Sequence, residues 1–133
     1  MEVEALLNLR KFVEDFFMYV QANKVEIYNE FSLQHELGIF LRERLLEYKV
    51  QFERNVSYFT TDNKTIKREI DITIFNEDKS EKYAIELKCP LNGQYPEQMY
   101  SFVNDIKFME ELKSRGFTKT ATVTLVSDIS NKE

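Results

Sequence analysis

The sequence predicts an α/β domain with its elements in the order α-α-β-β-β-α-β. Apolar residues recur at helical spacing in three stretches and at strand spacing in four others, and turn-forming residues fall between them. No internal repeat, low-complexity tract or Gly/Ser linker interrupts the pattern, so residues 1–133 read as one domain.

Leu6, Leu9, Val13, Phe16, Phe17 and Val20 lie on one helical face, which predicts an amphipathic helix ending near Asn23. A second helix is expected over 33–48, with Ser32 as N-cap and Leu33, Leu37, Leu41 and Leu45 stacked at four-residue intervals. Glu36 sits beside that stripe. In 49–58, Val50, Phe52, Val56 and Tyr58 alternate with mostly polar residues, as in a half-buried strand. A turn at Thr61, Asp62, Asn63 and Lys64 leads to two further strand-like runs, 68–75 and 83–88, joined by the polar segment 76–81. Pro90, Leu91, Asn92 and Gly93 break the strand, and Pro96 suits the first turn of a third helix. Its buried face is expected to hold Met99, Phe102, Val103, Ile106, Met109 and Leu112, with Gly116 as its stop. A last strand over 118–126 alternates Thr120, Thr122 and Thr124 with Ala121, Val123 and Leu125.

At 133 residues and 43% hydrophobic content the chain can build one core but is short for two. No run approaches the roughly 20 apolar residues of a membrane span, and the N-terminus lacks the basic start of a signal peptide, so a soluble, cytoplasmic protein without membrane contact is expected. Cys89 is the lone cysteine and His35 the lone histidine, which excludes an internal disulfide and a Cys/His zinc set. Any metal must be held mainly by oxygen. The net charge of −5 opposes tight nonspecific binding to nucleic acid, although residues 31–70 carry seven basic against six acidic side chains. Arg42, Arg44, Lys49, Arg54, Lys64, Lys67 and Arg68 read equally as a phosphate-contacting rim or as solvated surface.

The hairpin register singles out three charged residues. With the turn centred on Asp78 and Lys79, Phe75 pairs with Lys82, Ile72 pairs with Ile85, and Asp71 falls opposite Glu86 with Cβ atoms roughly 5 Å apart. Like charges so placed repel unless one takes a proton or a cation lies between them. Lys88 follows Glu86 on the same face, while Ile70, Ile72, Ile74, Tyr83, Ile85 and Leu87 are expected to face the core.

An acidic residue on a core helix (Glu36), an Asp entering the second strand (Asp71) and an acidic-x-Lys on the third (Glu86-Leu87-Lys88), followed by a helix and a fourth strand, resemble the PD-(D/E)XK nuclease superfamily. The resemblance covers residues 31–126 and leaves 1–24 as an extra N-terminal helix. It implies a restriction-endonuclease-like core, a central mixed four-stranded sheet flanked by helices. Ile70 stands where the superfamily pattern often has Pro, a departure that it tolerates. Gln98 is similar to the Gln of a Gln-x-x-x-Tyr motif, but Phe102 occupies the Tyr position.

The resemblance also implies chemistry. Asp71, Glu86 and the backbone carbonyl of Leu87 would bind Mg²⁺ or Mn²⁺, a hard cation suited to oxygen donors. Lys88 would contact the attacking water or the scissile phosphate, and Glu36 would bind the metal or orient Lys88. The implied activity is hydrolysis of DNA phosphodiester bonds, leaving 5′-phosphate and 3′-hydroxyl ends. A homodimer would supply surface that one small domain lacks. Other readings stay open: a solvated sheet face for the triplet, an ordinary helix residue for Glu36, a first-turn polar residue for Gln98, and for the whole chain a catalytically inactive module that binds nucleic acid or a protein.

Overall fold

A computed structural model describes residues 6–89 and 95–125, without the side chains of residues 95–101. Three helices, α1 (Leu9–Ala22), α2 (Glu30–Arg44) and α3 (Tyr95–Ser114), accompany four strands, β1 (Lys49–Asn55), β2 (Glu69–Phe75), β3 (Lys82–Lys88) and β4 (Lys119–Thr124). The chain is therefore α/β in the expected order. The sheet runs β1-β2-β3-β4, antiparallel across the first two pairs and parallel between β3 and β4. The parallel pairing follows from the α3 crossover, since a hairpin cannot return a strand in the same direction. Among the described residues no helix is long and apolar enough to cross a membrane.

Each end of α2 differs from expectation. The N-cap is Asn29, whose side chain accepts a hydrogen bond from the Ser32 amide at 2.7 Å while the Ser32 hydroxyl accepts from the Asn29 amide at 3.0 Å. Ser32 is thus the third helical residue of a reciprocal capping arrangement, and the helix starts earlier because Asn29 satisfies an amide that Ser32 alone would leave open. The first turn now carries Glu30. Arg44 ends the helix, four residues short of the expected limit. β1 is also shorter than expected, because the Asn55 side chain accepts from the Ser57 amide and turns 56–58 into a 3-10 turn.

Two apolar clusters sandwich the sheet. Leu33, Leu37 and Leu41 of α2 and Phe16 of α1 pack on Ile72, Ile74, Tyr83, Ile85 and Leu87. On the other side Phe108, Met109 and Leu112 of α3 pack on Ala84, Ile70, Val56 and Phe117. α3 is rotated relative to the expected face: Val103 and Ile106 are exposed, whereas Asp105 is buried in line with Phe108, Met109 and Leu112. On this inward face Asp105 meets two cations, half-buried Lys67 and buried Lys88, described below. The expected break at 90–93, the Met99 and Gln98 side chains, and Val126 lie outside the description.

Gly38 lies where α2 crosses β1, and a Cβ there would come within 2.2 Å of the Phe52 ring. Gly38→Ala is expected to cost about 1–3 kcal/mol by overpacking, more than the ~1 kcal/mol alanine returns in helix propensity. A denaturation midpoint at or above wild type would overturn this account of the α2–β1 contact.

Candidate active site at the open end of the hairpin

The β2–β3 ladder has the expected register, Phe75 with Lys82 and Ile72 with Ile85. At its end, carboxylates receive backbone amides. The Glu86 Oε1 accepts from the Asp71 amide at 3.0 Å, and the Asp71 Oδ2 accepts from the Leu87 amide at 2.8 Å. Neighbouring strands are thus joined by two side-chain-to-backbone hooks, while the described ladder pairs residues only as far as Ile72 with Ile85 and does not include the expected direct pairing of Asp71 with Glu86.

Strict alternation also fails here. Ile70 belongs by parity with Ile72 and Ile74, yet it packs in the α3-side cluster while they pack on the α2 side. The slip falls at Asp71, opposite Glu53 in the register running from Phe52–Ile72 to Arg54–Ile70. Glu53 has φ 57°, a left-handed conformation unfavourable to a residue with a Cβ. The Gln34 amide holds the distortion in place by donating to the Asp71 carbonyl at 2.8 Å and to the Glu53 carboxylate at 2.9 Å.

As a result, Asp71 lines a cavity of about 140 Å³ together with Glu30, Phe31, Gln34, Glu53 and Leu87. Glu30 and Gln34 are one helical turn apart and so share a face. Glu36, two residues beyond Gln34 and about 200° round the helix, does not line this cavity; Glu30 brings the α2 carboxylate instead.

Glu86 is 1% exposed, and its Oε2 contacts the Lys67 ammonium. Lys67 also reaches Asp105 Oδ1 at 3.2 Å, and Lys88 reaches Asp105 Oδ2 at 3.0 Å. A chain of alternating charge therefore runs Glu86, Lys67, Asp105, Lys88. The α3 face buries Lys88 against a carboxylate, which is a different environment from the open phosphate-facing position that the resemblance implies. The loop bearing Lys67 is fastened to α3: Arg115 donates to the Asp62 carbonyl at 2.8 Å and the Lys64 carbonyl at 3.1 Å, and the Ile66 amide donates to Glu111 at 2.9 Å.

The electrostatics follow from burial. Desolvation raises Asp71 to about 6, with the Leu87 amide and Lys67 opposing and the charges of Glu53 and Glu30 adding. Desolvation, then the Asp71 charge, raises Glu86 to about 7 against the pull of Lys67. For Lys67 burial acts downward, but the contact with Glu86 and the charges of Glu86, Asp105 and Asp71 outweigh it and raise its pKa. Both carboxyl groups are thus pushed upward from the usual carboxylate range, and of the two Asp71 lines the cavity.

Oxygen donors of this kind suit Mg²⁺ or Mn²⁺. Among the described residues, however, no three His, Cys, Asp or Glu side chains converge closely enough to hold a metal ion. The repulsion that called for a cation is partly met by Lys67. Glu30, Gln34, Glu53 and Asp105 are not singled out by the sequence, and Lys67 is singled out only as one of several rim or surface cations. The one local signal was an Asp105 aligned with Phe108, Met109 and Leu112 at helical spacing, a charge on an apolar stripe. No protein-family model, curated protein or solved structure matches the chain.

Proposed function

We propose that this protein is a metal-dependent nuclease with a restriction-endonuclease-like fold, hydrolysing DNA phosphodiester bonds to leave 5′-phosphate and 3′-hydroxyl ends. The observation that supports the reading is the neighbouring carboxylates of half-buried Asp71 and buried Glu86, each accepting a backbone amide of the adjoining strand, with Asp71 at an acid-lined cavity. Holding two like charges close together, one of them buried, costs stability, and a site that must later bind a cation is a physical reason to keep them.

In this reading Asp71, Glu86 and the Leu87 carbonyl would hold Mg²⁺ or Mn²⁺. When bound, the ion supplies Lewis acidity and offsets negative charge growing on the phosphoryl group. Lys88, positioned by Asp105, lies on the Glu86 side of the sheet and donates to the phosphate or the attacking water. Gln34 is a positioning residue, since it grips the Asp71 backbone and acts through it. Water attacks phosphorus in line, forming a P–O bond and giving up a proton to solvent, while the bond to the 3′ oxygen breaks and that oxygen takes a proton from solvent to leave as the hydroxyl. Gln98 and Glu36 are given no role.

The test is incubation of the purified protein with plasmid, linear and single-stranded DNA in Mg²⁺ or Mn²⁺. Cleavage is expected with wild type and is expected to fall roughly 10²–10³-fold in Lys88→Ala, the scale of losing one donor to the transition state. Cleavage that persists in both Asp71→Ala and Lys88→Ala sinks the assignment.

A second reading, a catalytically inactive module of the same fold that binds nucleic acid or a protein, is favoured by the Lys67 contact on Glu86 and the lack of three converging ligands among the described residues. It predicts an intact fold with no calorimetric Mn²⁺ binding.

A further inference from the structure

We propose that Arg54, Tyr58, Lys79 and Lys82 form a docking surface for single-stranded nucleic acid. Lys79 and Lys82 place it at the turn end of the β2–β3 hairpin, whereas Asp71 and Glu86 lie toward the other end of those strands. The inference goes beyond the nuclease reading and needs no bound ion.

Two cations share one aromatic ring here. The Arg54 guanidinium lies 3.9 Å and the Lys79 ammonium 4.1 Å from the centre of the Tyr58 ring, and Tyr58 is 37% exposed. The two charges are therefore within roughly one Debye length (~8 Å) of each other, where like charges repel. Phe59 joins the Tyr58 ring to that of Phe117, beside which the Lys82 ammonium sits at 5.8 Å. Among the described residues no carboxylate lies within ion-pair distance of Arg54, Lys79 or Lys82, although Lys67, Lys88 and Arg115 each have one. The acidic neighbours in the turn are Glu77 and Asp78, and the Asp78 carboxylate accepts from the Ser80 amide at 3.0 Å. Lys79 also has φ 61°, a left-handed conformation in which glycine is unstrained and a residue with a Cβ is not. The turn requires only that backbone shape, so the lysine side chain needs a reason of its own, and an exposed cation–π contact is a weak one.

Phosphate supplies the counter-anion that the cluster lacks. Arg54 is fixed through its Nε, which donates to Gln51 Oε1 at 2.6 Å, and Lys82 donates to the Lys79 carbonyl at 3.1 Å. The remaining guanidinium and ammonium hydrogens are left for phosphate oxygens. Aromatic rings and guanidinium planes are also the surfaces on which unpaired bases stack. The patch is small and the whole chain carries a net charge of −5, which disfavours the dense charge of a duplex and suits a strand whose bases are exposed.

The experiment follows the anisotropy of a labelled oligothymidylate titrated with wild type, Arg54→Gln, Lys79→Gly and Lys107→Ala in EDTA at about 50 and about 200 mM salt. In EDTA no metal-dependent cleavage contributes, so the outcome is separate from that of the nuclease reading. Wild type is expected to bind the single strand more tightly than its duplex with oligodeoxyadenylate. Arg54→Gln and Lys79→Gly are each expected to weaken binding roughly 5-fold or more at the lower salt, and Lys79→Gly to flatten the salt slope by about 0.7, the share of one phosphate on a single strand. Lys107→Ala, at an exposed position of α3, is expected to bind as wild type does. Lys79→Gly is expected to melt at or above wild type, because glycine is unstrained at positive φ, so its loss of affinity is not a loss of fold. No binding by wild type, tighter binding of the duplex, an equal loss in Lys107→Ala, or unchanged affinity in either Arg54→Gln or Lys79→Gly overturns the assignment. Should Lys79→Gly fail to fold, amine labelling of wild type read by mass spectrometry decides. Protection of Lys79 and Lys82 but not Lys107 by oligothymidylate supports the surface, and equal labelling with and without it overturns it.

Discussion

Asp71→Asn is expected to raise the thermal stability of the metal-free protein at pH 8 while abolishing metal-dependent cleavage. The sign comes from proton counting. Asp71 and Glu86 are raised to about 6 and about 7 in the folded chain, above their ordinary values of 3.8 and 4.5. Between about pH 4 and pH 7 the folded state therefore binds more protons than the unfolded state, and stability falls as pH rises through that window. Above it the full cost persists, because both groups are ionised in both states. Asparagine removes the Asp71 share and relieves Glu86 of a neighbouring charge, while its side-chain oxygen can still accept from the Leu87 amide. The gain at pH 8 is expected to be on the order of 1–2 kcal/mol, a shift of several degrees in Tm, and to vanish near pH 4. Thermal melts at the two pH values check it. An Asp71→Asn protein equally destabilised at both would show that the carboxylate is a structural hook and carries no electrostatic cost. Saturating Mn²⁺ should stabilise wild type at pH 8 and leave Asp71→Asn unmoved.

Asp105→Ala is expected to be among the most damaging single substitutions in the protein. Asp105 is 3% exposed and is the carboxylate between Lys67 and Lys88. Its removal leaves two cations facing a cavity where their shared partner stood, and breaking a buried pair in this way costs about 3–5 kcal/mol. The lower end applies, because Lys67 is a third exposed and keeps Glu86. Asp105→Asn, which retains hydrogen-bonding capacity, should lie between alanine and wild type in urea denaturation. A loss below about 1 kcal/mol in the alanine variant would mean that packing of Phe108 and Leu112, and not this charge, orients α3.

The sequence exposes the site unevenly. The 76–81 turn and the alternation on either side pin the hairpin register, so the pairing of Phe75 with Lys82 and Ile72 with Ile85 could be read directly, and with it the approach of Asp71 to Glu86. The helix acid could not be read as directly. Ser32 and the leucine stripe suggested a helix starting at Leu33, whereas the Asn29 cap starts it at Glu30 and brings Glu30 and Gln34 toward Asp71. α3 offered two overlapping apolar stripes, and a burial pattern alone favours the one without a charge.

What the amino-acid order determined by itself is the order and type of the elements and the register of the central hairpin, because these depend on side-chain period and turn chemistry within a few residues. Only the tertiary structure decided which way the carboxylates face and what neutralises them. The left-handed turn at Glu53 displaces Asp71 from strict alternation, and Lys67 and Asp105 reach Glu86 and Lys88 from a loop and a helix far along the chain. Charges in a buried site are balanced by whatever partner lies within a few ångströms, and that proximity is a property of the folded packing, with no period in the sequence to announce it.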